Sequence, residues 1–461
     1  MSNQMWLPKL TGITASICFG INVLIIISLT FDRLAKTCFQ GWARFMVFPC
    51  VWTAIWNILV YNSGDLINYA FAFLGSIEML QFASLSGLGG LNFLLAWGGT
   101  VGAHLINKLS LTSHSHESLL PTKNNQEDSS SLIMNTGRRN RKTFNIMTNP
   151  VLAYIVALFL IIGYGSIRIS LAYIPFYQKN IESFVPSNLT KVGCVIGGVT
   201  VEHENSYYIE RTRDLASNGT QFILWSEKVA IANDTKQLDD LTSGIKEVSR
   251  VYNTYIGFTY IDSSSPDGRK YNKLTVISPT GDVLIDYAKS NLVPVIENDI
   301  SPGTDILQTF DTPDFGIIGG AICYDYNFPK LIGQASTHDV DFMLDTSLTW
   351  GPIGNYHPRI NVIRSIENGF THFRCNSYGI SGIWGPYGEQ YAAIQTLEDI
   401  SFTFQVPLYR RVKTVYGVFG EALAWACLGF TAAFFIIIIL IMYGPESAKK
   451  IVIRLAMKLR M

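Results

Sequence analysis

Charged residues are scarce in this chain of 461 residues. They make up 15% of the sequence against 48% hydrophobic residues, whereas about a quarter of a soluble domain is usually charged. The 35 basic and 35 acidic residues cancel, so the chain lacks the net positive charge typical of nucleic-acid-binding proteins. The seven cysteines include no Cys-x-x-Cys pair, which argues against a disulfide scaffold and a zinc site. The composition therefore predicts a membrane protein with a water-soluble part and no nucleic-acid partner.

Long uncharged runs predict membrane-spanning helices. A run of about 20 apolar residues is enough to cross a hydrocarbon core of roughly 30 Å. Five runs meet this requirement and are predicted spans: 10–30, 45–61, 84–106, 151–167 and 418–443. The apolar stretch 66–80 is shorter and contains Glu78. We expect this stretch to lie in the membrane interface or to pack on protein.

The basic residues favour five spans over six, because Lys and Arg near span ends prefer the cytoplasmic side. With five spans, three basic clusters share that side: Arg33, Lys36 and Arg44; Arg138, Arg139, Arg141 and Lys142; and Lys449, Lys450, Arg454, Lys458 and Arg460. The polar residues 107–148 are predicted to be a disordered cytoplasmic linker. Residues 1–173 then form an N-terminal membrane region, 174–417 an extracytoplasmic domain, and 418–461 a last span with a basic cytoplasmic tail.

The domain at 174–417 alternates short runs rich in Val, Ile and aromatic residues with amphipathic stretches, which indicates an α/β sandwich. The strand-like runs are 192–199, 222–225, 255–260, 273–277 and 316–322, and the helix-like stretches include 235–252 and 355–368. Every Asn-x-Ser/Thr glycosylation acceptor of the chain lies here, at Asn188, Asn218 and Asn233. This distribution is expected for a lumenal or extracellular surface of a eukaryote.

Three polar residues follow predicted strands of this domain. Cys323 lies between an apolar strand and a polar turn, where a thiol is expected to be exposed with a lowered pKa. The alternative is a buried strand cysteine. Glu227 follows the run FILW and Lys289 follows the hairpin 273–287, and each alone is typical of a solvated loop charge. Because open α/β sheets place their sites at the carboxyl ends of strands, we expect the three to share one crevice.

These residues lie in the stretches LWSE, YAKSNLVPVIE and ICYDYNFP, which resemble the three signature motifs of the carbon–nitrogen hydrolase, or nitrilase, superfamily. Within it the chain resembles the apolipoprotein N-acyltransferase family of bacterial membrane enzymes, through 79–95, 364–389 and the insertion of the domain between spans. The resemblance covers the chain from about residue 45 onward. It implies an α-helical transmembrane bundle plus a nitrilase-like α-β-β-α sandwich inserted between the last two spans.

The resemblance implies an acyltransferase with a Glu227–Lys289–Cys323 catalytic triad. Glu227 would act as general base and Cys323 as nucleophile, while Lys289 and the N–H after Cys323 would stabilise the oxyanion. Glu297 matches a further family glutamate, and Asp325 stands where the family usually has glutamate. Glu297 would hold Lys289 or assist proton transfer, whereas Tyr324 and Asp325 would shape the pocket floor. For all three, a purely structural role is the alternative.

The expected partners are the bilayer, a phospholipid as acyl donor and an unidentified amine as acceptor. Two further hypotheses stay open: a membrane-tethered amidase, and an inactive module that binds lipid or a partner protein. The segment 62–83 is expected to line a lipid entrance, helped by Phe71, Phe73, Trp350 and Trp384, unless these aromatic residues are core or interface anchors. The localisation expected is a multi-pass protein of the endoplasmic reticulum or secretory pathway.

No metal site or cofactor is predicted. The glycine-rich run 87–91 lies in a predicted span, where small residues allow close helix packing. Cys194, Cys323 and Cys375 all lie in the predicted extracytoplasmic domain, where disulfide bonds can form. A bond between Cys194 and Cys375 would leave Cys323 free as a nucleophile, but the sequence does not determine which cysteines pair.

Overall fold

The structure is a computed structural model. It describes residues 19–34, 42–117, 149–172, 189–198, 203–447 and Lys450. Several predictions lie outside the described residues: the linker from residue 118 onward, Asn188, the first part of the span at 10–30 and most of the basic tail.

The chain divides into two compact units. One consists of Met1–Ile55, Asn92–Leu160 and Cys427–Met461, and the other of Trp56–Leu91 and Ile161–Ala426. In the first unit, Val47 and Val51 pack against Phe434 and Ile438 in an apolar core. The second unit contains the strands and the predicted site residues.

Eight long helices occur among the described residues. They are α1 (19–34), α2 (Trp42–Ser63), α3 (Ala83–Glu117), α4 (Pro150–Ala172), α5 (Asn205–Ser217), α6 (Thr235–Tyr252), α7 (Ile353–Asn368) and α8 (Ala422–Tyr443). Shorter helical turns lie at Tyr69–Gly75, Ile77–Leu80, Cys323–Asn327, Pro329–Ile332, Gln334–Thr337 and Val415–Phe419.

Within the described residues, three helices are long and apolar enough to cross a membrane: Arg44–Ser63 in α2, Pro150–Ser170 in α4 and Ala422–Tyr443, which is α8. They coincide with three of the five predicted spans. The predicted span at 84–106 lies in α3 but does not reach the same apolarity, because Gly, Ser and Asn interrupt its hydrophobic residues. The predicted span at 10–30 is described only from residue 19.

Helix α3 is interrupted at Gly87, whose φ of +64° is left-handed. A Cβ at this position would lie 2.4 Å from the ring of Tyr416, so close packing and backbone conformation both require glycine. The Leu88 N–H that follows the break donates to Glu367 Oε1 at 2.9 Å. The close approach predicted for this glycine-rich run is therefore present, and it joins α3 to the α/β part of the same unit.

The thirteen strands of the described chain form two sheets. The strands are β1 (Leu189–Val195), β2 (Phe222–Trp225), β3 (Ala230–Ala232), β4 (Tyr255–Asp262), β5 (Tyr271–Ile277), β6 (Val283–Ala288), β7 (Thr309–Thr312), β8 (Gly316–Ile322), β9 (Phe342–Leu348), β10 (Thr371–Ser377), β11 (Gly379–Trp384), β12 (Gln390–Thr396) and β13 (Ser401–Pro407). The first sheet has the order β13-β1-β2-β4-β5-β6, with β3 paired to β4, and the second has the order β12-β11-β10-β9-β8-β7.

The two sheets stack face to face as a sandwich with helices outside. Parallel strands β1, β2 and β4 form the middle of the first sheet, and parallel β8, β9 and β10 that of the second. The inner faces share one apolar core. Helices α5 and α6 cover the first sheet, and α7 covers the second. This arrangement of layers confirms the predicted α-β-β-α sandwich. The central strands are buried on both faces, which explains why their sequences are continuous apolar runs.

Sequence chemistry accounts for α6, which has the predicted bounds 235–252. Asp234 caps its N-terminus by accepting from the Gln237 N–H at 2.8 Å. Leu241, Ile245 and Val248 recur at helical spacing and are buried against the sheet. The helix ends where Asn253 adopts a left-handed φ of +54°.

The segment 66–80 forms the turn Tyr69–Gly75 and the helix Ile77–Leu80, and it packs on protein, one of the two predicted placements. Phe71 and Trp384 are 7% and 5% exposed and lie in the same core as α7. Of the two readings given for these residues, the alternative that they are core residues is therefore confirmed, because they are buried against α7. Trp350 is 42% exposed.

A disulfide bond joins Cys194 on β1 to Cys375 on β10. It links the two sheets across the core of the sandwich. Cys323 remains a free thiol. Of the possible pairings, the one that leaves the predicted nucleophile unengaged is therefore present.

Candidate active site

Glu227, Lys289 and Cys323 lie buried together at the carboxyl ends of three strands. Glu227 follows β2, Lys289 directly follows β6, and Cys323 directly follows β8. Strands β2 and β6 belong to the first sheet and β8 to the second. The cluster therefore lies at one end of the sandwich, where both sheets contribute a polar side chain.

The Glu227 carboxylate is buried, with 2% of its residue surface exposed. Its Oε1 accepts hydrogen bonds from Lys289 Nζ at 2.8 Å and from Asn272 Nδ2 at 2.7 Å. Its Oε2 accepts from the Leu348 N–H at 2.9 Å. A carboxylate has about four acceptor positions, so the three donors orient Glu227 and leave capacity to receive a proton.

Lys289 Nζ lies between two carboxylates, at 2.8 Å from Glu227 Oε1 and 2.8 Å from Glu297 Oε2. Burial disfavours its ammonium form, but the charges of Glu227 and Glu297, joined at high pH by the Cys323 thiolate, outweigh burial and raise the pKa of Lys289. Lys289 is therefore a permanent cation at physiological pH, held in place by two anions.

Glu297 is shared by two lysines, because Lys228 Nζ lies 2.5 Å from its Oε1. Burial opposes ionisation, but Lys289 and Lys228 together lower the pKa of Glu297 to about 2. Glu297 Oε2 also accepts from the Val293 N–H at 2.9 Å. The carboxylate thus fixes both lysines and the loop that follows Lys289.

Cys323 begins the turn Cys323–Asn327 with a left-handed φ of +50°. This conformation is rare for residues other than glycine and is typical of strained functional positions. Its Sγ lies 3.8 Å from the Leu348 carbonyl oxygen. The peptide N–H of the same Leu348 donates to Glu227, so one residue of β9 contacts both the thiol and the carboxylate.

The Cys323 thiol is buried rather than exposed, with 6% of its residue surface accessible, which corrects the sequence-based expectation. Its pKa is raised to about 12, because burial and the negative charge of Glu227 outweigh the opposing charges of Lys289 and Arg374. The expectation of a lowered pKa is therefore also wrong. The resting residue is a neutral thiol, and its reaction requires a base that removes the proton during attack.

We expect alkylation of Cys323 by iodoacetamide to rise about tenfold per pH unit from pH 7 to 10, because only the thiolate reacts. A thiol with an ordinary pKa would instead approach a plateau above about 8.5. The measurement is peptide-resolved mass spectrometry of the full-length detergent-solubilised protein. A plateau below pH 9 at Cys323 would contradict the buried, neutral thiol.

Asp325 connects the Cys323 turn to the loop that carries Lys289. Its Oδ1 accepts from Asn291 N at 2.7 Å and Asn291 Nδ2 at 3.0 Å, and its Oδ2 accepts from the Tyr287 hydroxyl at 2.8 Å. Burial raises the pKa of Asp325 to about 6, against the lowering effects of Lys289 and these donors. Asp325 therefore positions Lys289 relative to Cys323.

Tyr324 points away from this network. Its hydroxyl donates to the Ser63 carbonyl at 2.7 Å, and its ring packs edge to face against Phe328 with centroids 5.3 Å apart. Asp65 N–H donates to the Asn327 carbonyl at 2.9 Å. The end of α2 and the residues after it are thus fastened to the turn that begins with Cys323.

Sequence reasoning missed Asn272, Leu348 and Lys228. Lys228 adjoins Glu227, and this neighbouring cation was the available signal. Asn272 is an interior polar residue of β5, and Leu348 acts through its backbone. No side-chain pattern in the sequence predicts that Asn272 or Leu348 donates a hydrogen bond to Glu227, since both contacts depend on strand register.

The predicted glycosylation acceptors Asn218 and Asn233 are exposed, whereas Asn188 lies outside the described residues. In the part of the chain that the structure covers, no three His, Cys, Asp or Glu side chains gather closely enough to bind a metal ion.

The chain is similar to several known proteins. Residues 202–412 match the carbon-nitrogen hydrolase family model. Over 425 residues, 84% of this chain, the sequence is 22% identical to an apolipoprotein N-acyltransferase from Geobacter metallireducens, covering 73% of that protein. A deaminated glutathione amidase from Dictyostelium discoideum is 26% identical over 199 residues, 37% of this chain and 68% of its own length. Among solved structures, an amidase from Nesterenkonia sp. has a TM-score of 0.45 at 16% identity, covering 52% of this chain and 97% of that one.

Proposed function

From the match of residues 202–412 to the carbon-nitrogen hydrolase family model, we propose that the chain is a membrane-bound N-acyltransferase. It transfers a fatty acyl group from a phospholipid to an amine through a thioester on Cys323. The observation that carries the proposal is the linked trio in the cluster: Glu227 is hydrogen-bonded to Lys289, and Leu348 contacts both Glu227 and Cys323.

In the first half-reaction, Cys323 Sγ attacks the ester carbonyl of the phospholipid while Glu227 takes the thiol proton. Because the thiol is neutral at rest, proton removal accompanies formation of the sulfur–carbon bond. The Lys289 ammonium and the N–H after Cys323 stabilise the oxyanion, where each donor commonly contributes about 3 kcal/mol. The carbon–oxygen bond then breaks, and Glu227 returns the proton to the alcohol of the lysophospholipid.

In the second half-reaction, an amine attacks the thioester carbonyl and Glu227 accepts the amine proton. The carbon–sulfur bond breaks to give an amide, and the proton passes to the Cys323 sulfur. Both half-reactions pass through an oxyanion at the same position, so Lys289 serves each of them. No cofactor is consumed, because the energy of the ester bond drives formation of the amide.

Acyl transfer from a membrane lipid is favoured over hydrolysis by the segments that flank the domain. Two apolar helices flank the domain in the sequence: one ends at Ser170 before it, and the other begins at Ala422 after it. The similarity to an apolipoprotein N-acyltransferase covers 84% of this chain and therefore extends beyond the domain. A tethered domain meets acyl chains at high local concentration. We also propose that it faces the lumenal or extracellular side, with exposed Asn218 and Asn233 as acceptors for glycosylation.

Intact-protein mass spectrometry of the detergent-purified protein, incubated with phospholipid in the absence of amine, tests the proposal. We expect an added acyl mass on wild type that hydroxylamine releases, as thioesters require. The Cys323→Ala variant should lack the adduct, and Cys50→Ala, which removes another buried free cysteine, should retain it. Absence of any lipid-derived adduct on wild type would contradict acyl transfer from phospholipid.

A membrane-tethered amidase is the second candidate, favoured by the amidases among the relatives. It uses the same three residues, with water replacing the amine in the second half-reaction. Turnover of small amides by wild type, lost in Cys323→Ala and without a phospholipid adduct, would establish this function instead.

A further inference from the structure

A cavity lies apart from the catalytic cluster, where the end of α2 and the start of α8 border the α/β domain within one unit. Its volume is about 360 Å³, within the range of roughly 300–1,000 Å³ typical of small-molecule sites. None of Glu227, Lys289 or Cys323 lines it. Phe328, whose ring contacts Tyr324, forms part of its wall.

An unpartnered polar group faces this cavity. Asn57, on α2, is 7% exposed, and its Nδ2 has no hydrogen-bond partner among the described residues. Asn57 lies within the candidate span Arg44–Ser63, where a buried amide is costly unless it is paired. A ligand acceptor in the cavity would complete its hydrogen bonding.

Charges of both signs line the same cavity, from Lys330 and Glu421. Lys330 is 56% exposed, and its ion pair with Asp305 at 2.8 Å is exposed and therefore weak, so its ammonium remains available to an anion. Glu421 is partly buried, and a cation beside this residue would favour its charged form. The cavity thus suits a ligand that carries one positive and one negative charge.

The mouth of the cavity is aromatic and apolar. The Tyr61 and Trp425 rings lie edge to face with centroids 6.0 Å apart, and Lys330 Nζ lies 5.6 Å from the Tyr61 ring centroid. Val418 and Phe419 at the rim are 72% and 68% exposed. Tyr and Trp at the ends of spans are typical of the membrane interface, and aromatic faces also attract ammonium groups.

We propose that this cavity binds the headgroup of a zwitterionic phospholipid, separately from the catalytic cluster. The phosphate pairs with Lys330, the ammonium lies near Glu421 and the aromatic rings, and Asn57 donates to a headgroup oxygen. The acyl chains leave along the exposed apolar rim at the start of α8. The assignment does not depend on acyl transfer, because no catalytic residue takes part.

Lipid binding to full-length Cys323→Ala protein, measured by native mass spectrometry from detergent, tests the proposal without catalysis. The probes are dioleoylphosphatidylethanolamine, which is zwitterionic, and dioleoylphosphatidylglycerol, which is anionic. We expect the zwitterionic lipid to bind about tenfold more tightly, since the anionic lipid lacks the ammonium that pairs with Glu421. Glu421→Gln should remove this preference, and Lys330→Gln should weaken both lipids.

Matched controls separate the site from general lipid adhesion. Lys270 is 52% exposed and lies outside the cavity, so Lys270→Gln should bind lipid as the parent does. Trp425 and Phe435 are 47% and 48% exposed on α8. Trp425→Ala should weaken binding several-fold, whereas Phe435→Ala should not. These surface changes report on the site even if Glu421→Gln fails to fold.

Three outcomes would overturn the proposal. The first is equal binding of the two lipids by the parent protein. The second is unchanged binding in Lys330→Gln and Trp425→Ala. The third is full displacement of the lipid by an equal concentration of glycerophosphoethanolamine, which would show a site for a soluble headgroup and no membrane lipid. A failed acyl-adduct experiment leaves each of these results unaffected, so the two proposals fail separately.

Discussion

Replacing Glu227 by glutamine should slow formation of the acyl-enzyme by about 10²–10⁴-fold, the usual contribution of a positioned general base. The same change should make Cys323 easier to alkylate at pH 8, because the negative charge of Glu227 helps to raise the pKa of this thiol. Loss of catalysis with a gain in thiol reactivity is not expected of a variant that is merely misfolded. Acyl-adduct kinetics and peptide-resolved alkylation by iodoacetamide measure the two effects.

Glu227→Asp is the matched control, because it keeps the charge and withdraws the carboxylate by about one methylene. Acyl-enzyme formation should fall, while the thiol stays as unreactive as in wild type. If Glu227→Gln retains more than about a tenth of the wild-type rate, Glu227 is not the general base. Unchanged alkylation would show that its charge does not control Cys323.

Local patterns predicted the elements that carry the site. The run 222–225 and the stretch 235–252 have the bounds of β2 and α6 in the structure, because a buried apolar run and a capped amphipathic helix are determined within one window of sequence. The positions of Glu227, Lys289 and Cys323 after their strands followed from the same reading. The burial of Cys323 could not be predicted in this way, because it depends on a contact with Leu348 of β9, which is distant in the sequence.

Long-range pairing explains the rest of what was missed. Arg364 forms buried ion pairs with Asp65 and Glu367, and Asp65 lies far away in the sequence, just after α2. Nothing local to Asp65 predicts this contact, which fastens the segment 66–80 to the domain rather than to the membrane interface. Apolarity alone also did not predict the left-handed break at Gly87, near the start of the predicted span at 84–106.

Replacing Lys289 by methionine should abolish measurable acyl-enzyme formation and destabilise the domain by about 3–5 kcal/mol, the usual cost of leaving a buried charge without its partner. Glu227 and Glu297 are 2% and 3% exposed, and both bond Lys289 Nζ. Removing the cation leaves two buried carboxylates without the positive charge that pairs with both of them. Thermal unfolding of full-length wild type and variant at pH 7 measures the stability difference.

The difference in stability between wild type and Lys289→Met should become smaller as the pH is lowered. In wild type, the pKa of Glu297 is lowered to about 2, so the stability that its charge contributes is present above the unfolded value of about 4.3 and is lost only as pH falls towards 2. In Lys289→Met, Glu297 retains Lys228 alone, its pKa rises, and protonation relieves the unpaired charge at a higher pH. The gap in melting temperature should therefore be widest at pH 6–7 and narrower at pH 4.

Lys228→Met is the matched control, because Lys228 bonds Glu297 but not Glu227 and is 24% exposed at its side chain. It should cost less stability and leave a measurable rate of acyl-enzyme formation, since the oxyanion still meets Lys289. Equal losses in the two variants would show that Glu297 alone, and not the position of Lys289 between two carboxylates, determines the site. A gap in melting temperature that widens at pH 4 would contradict the assignment of Lys289 as the cation that keeps Glu297 charged.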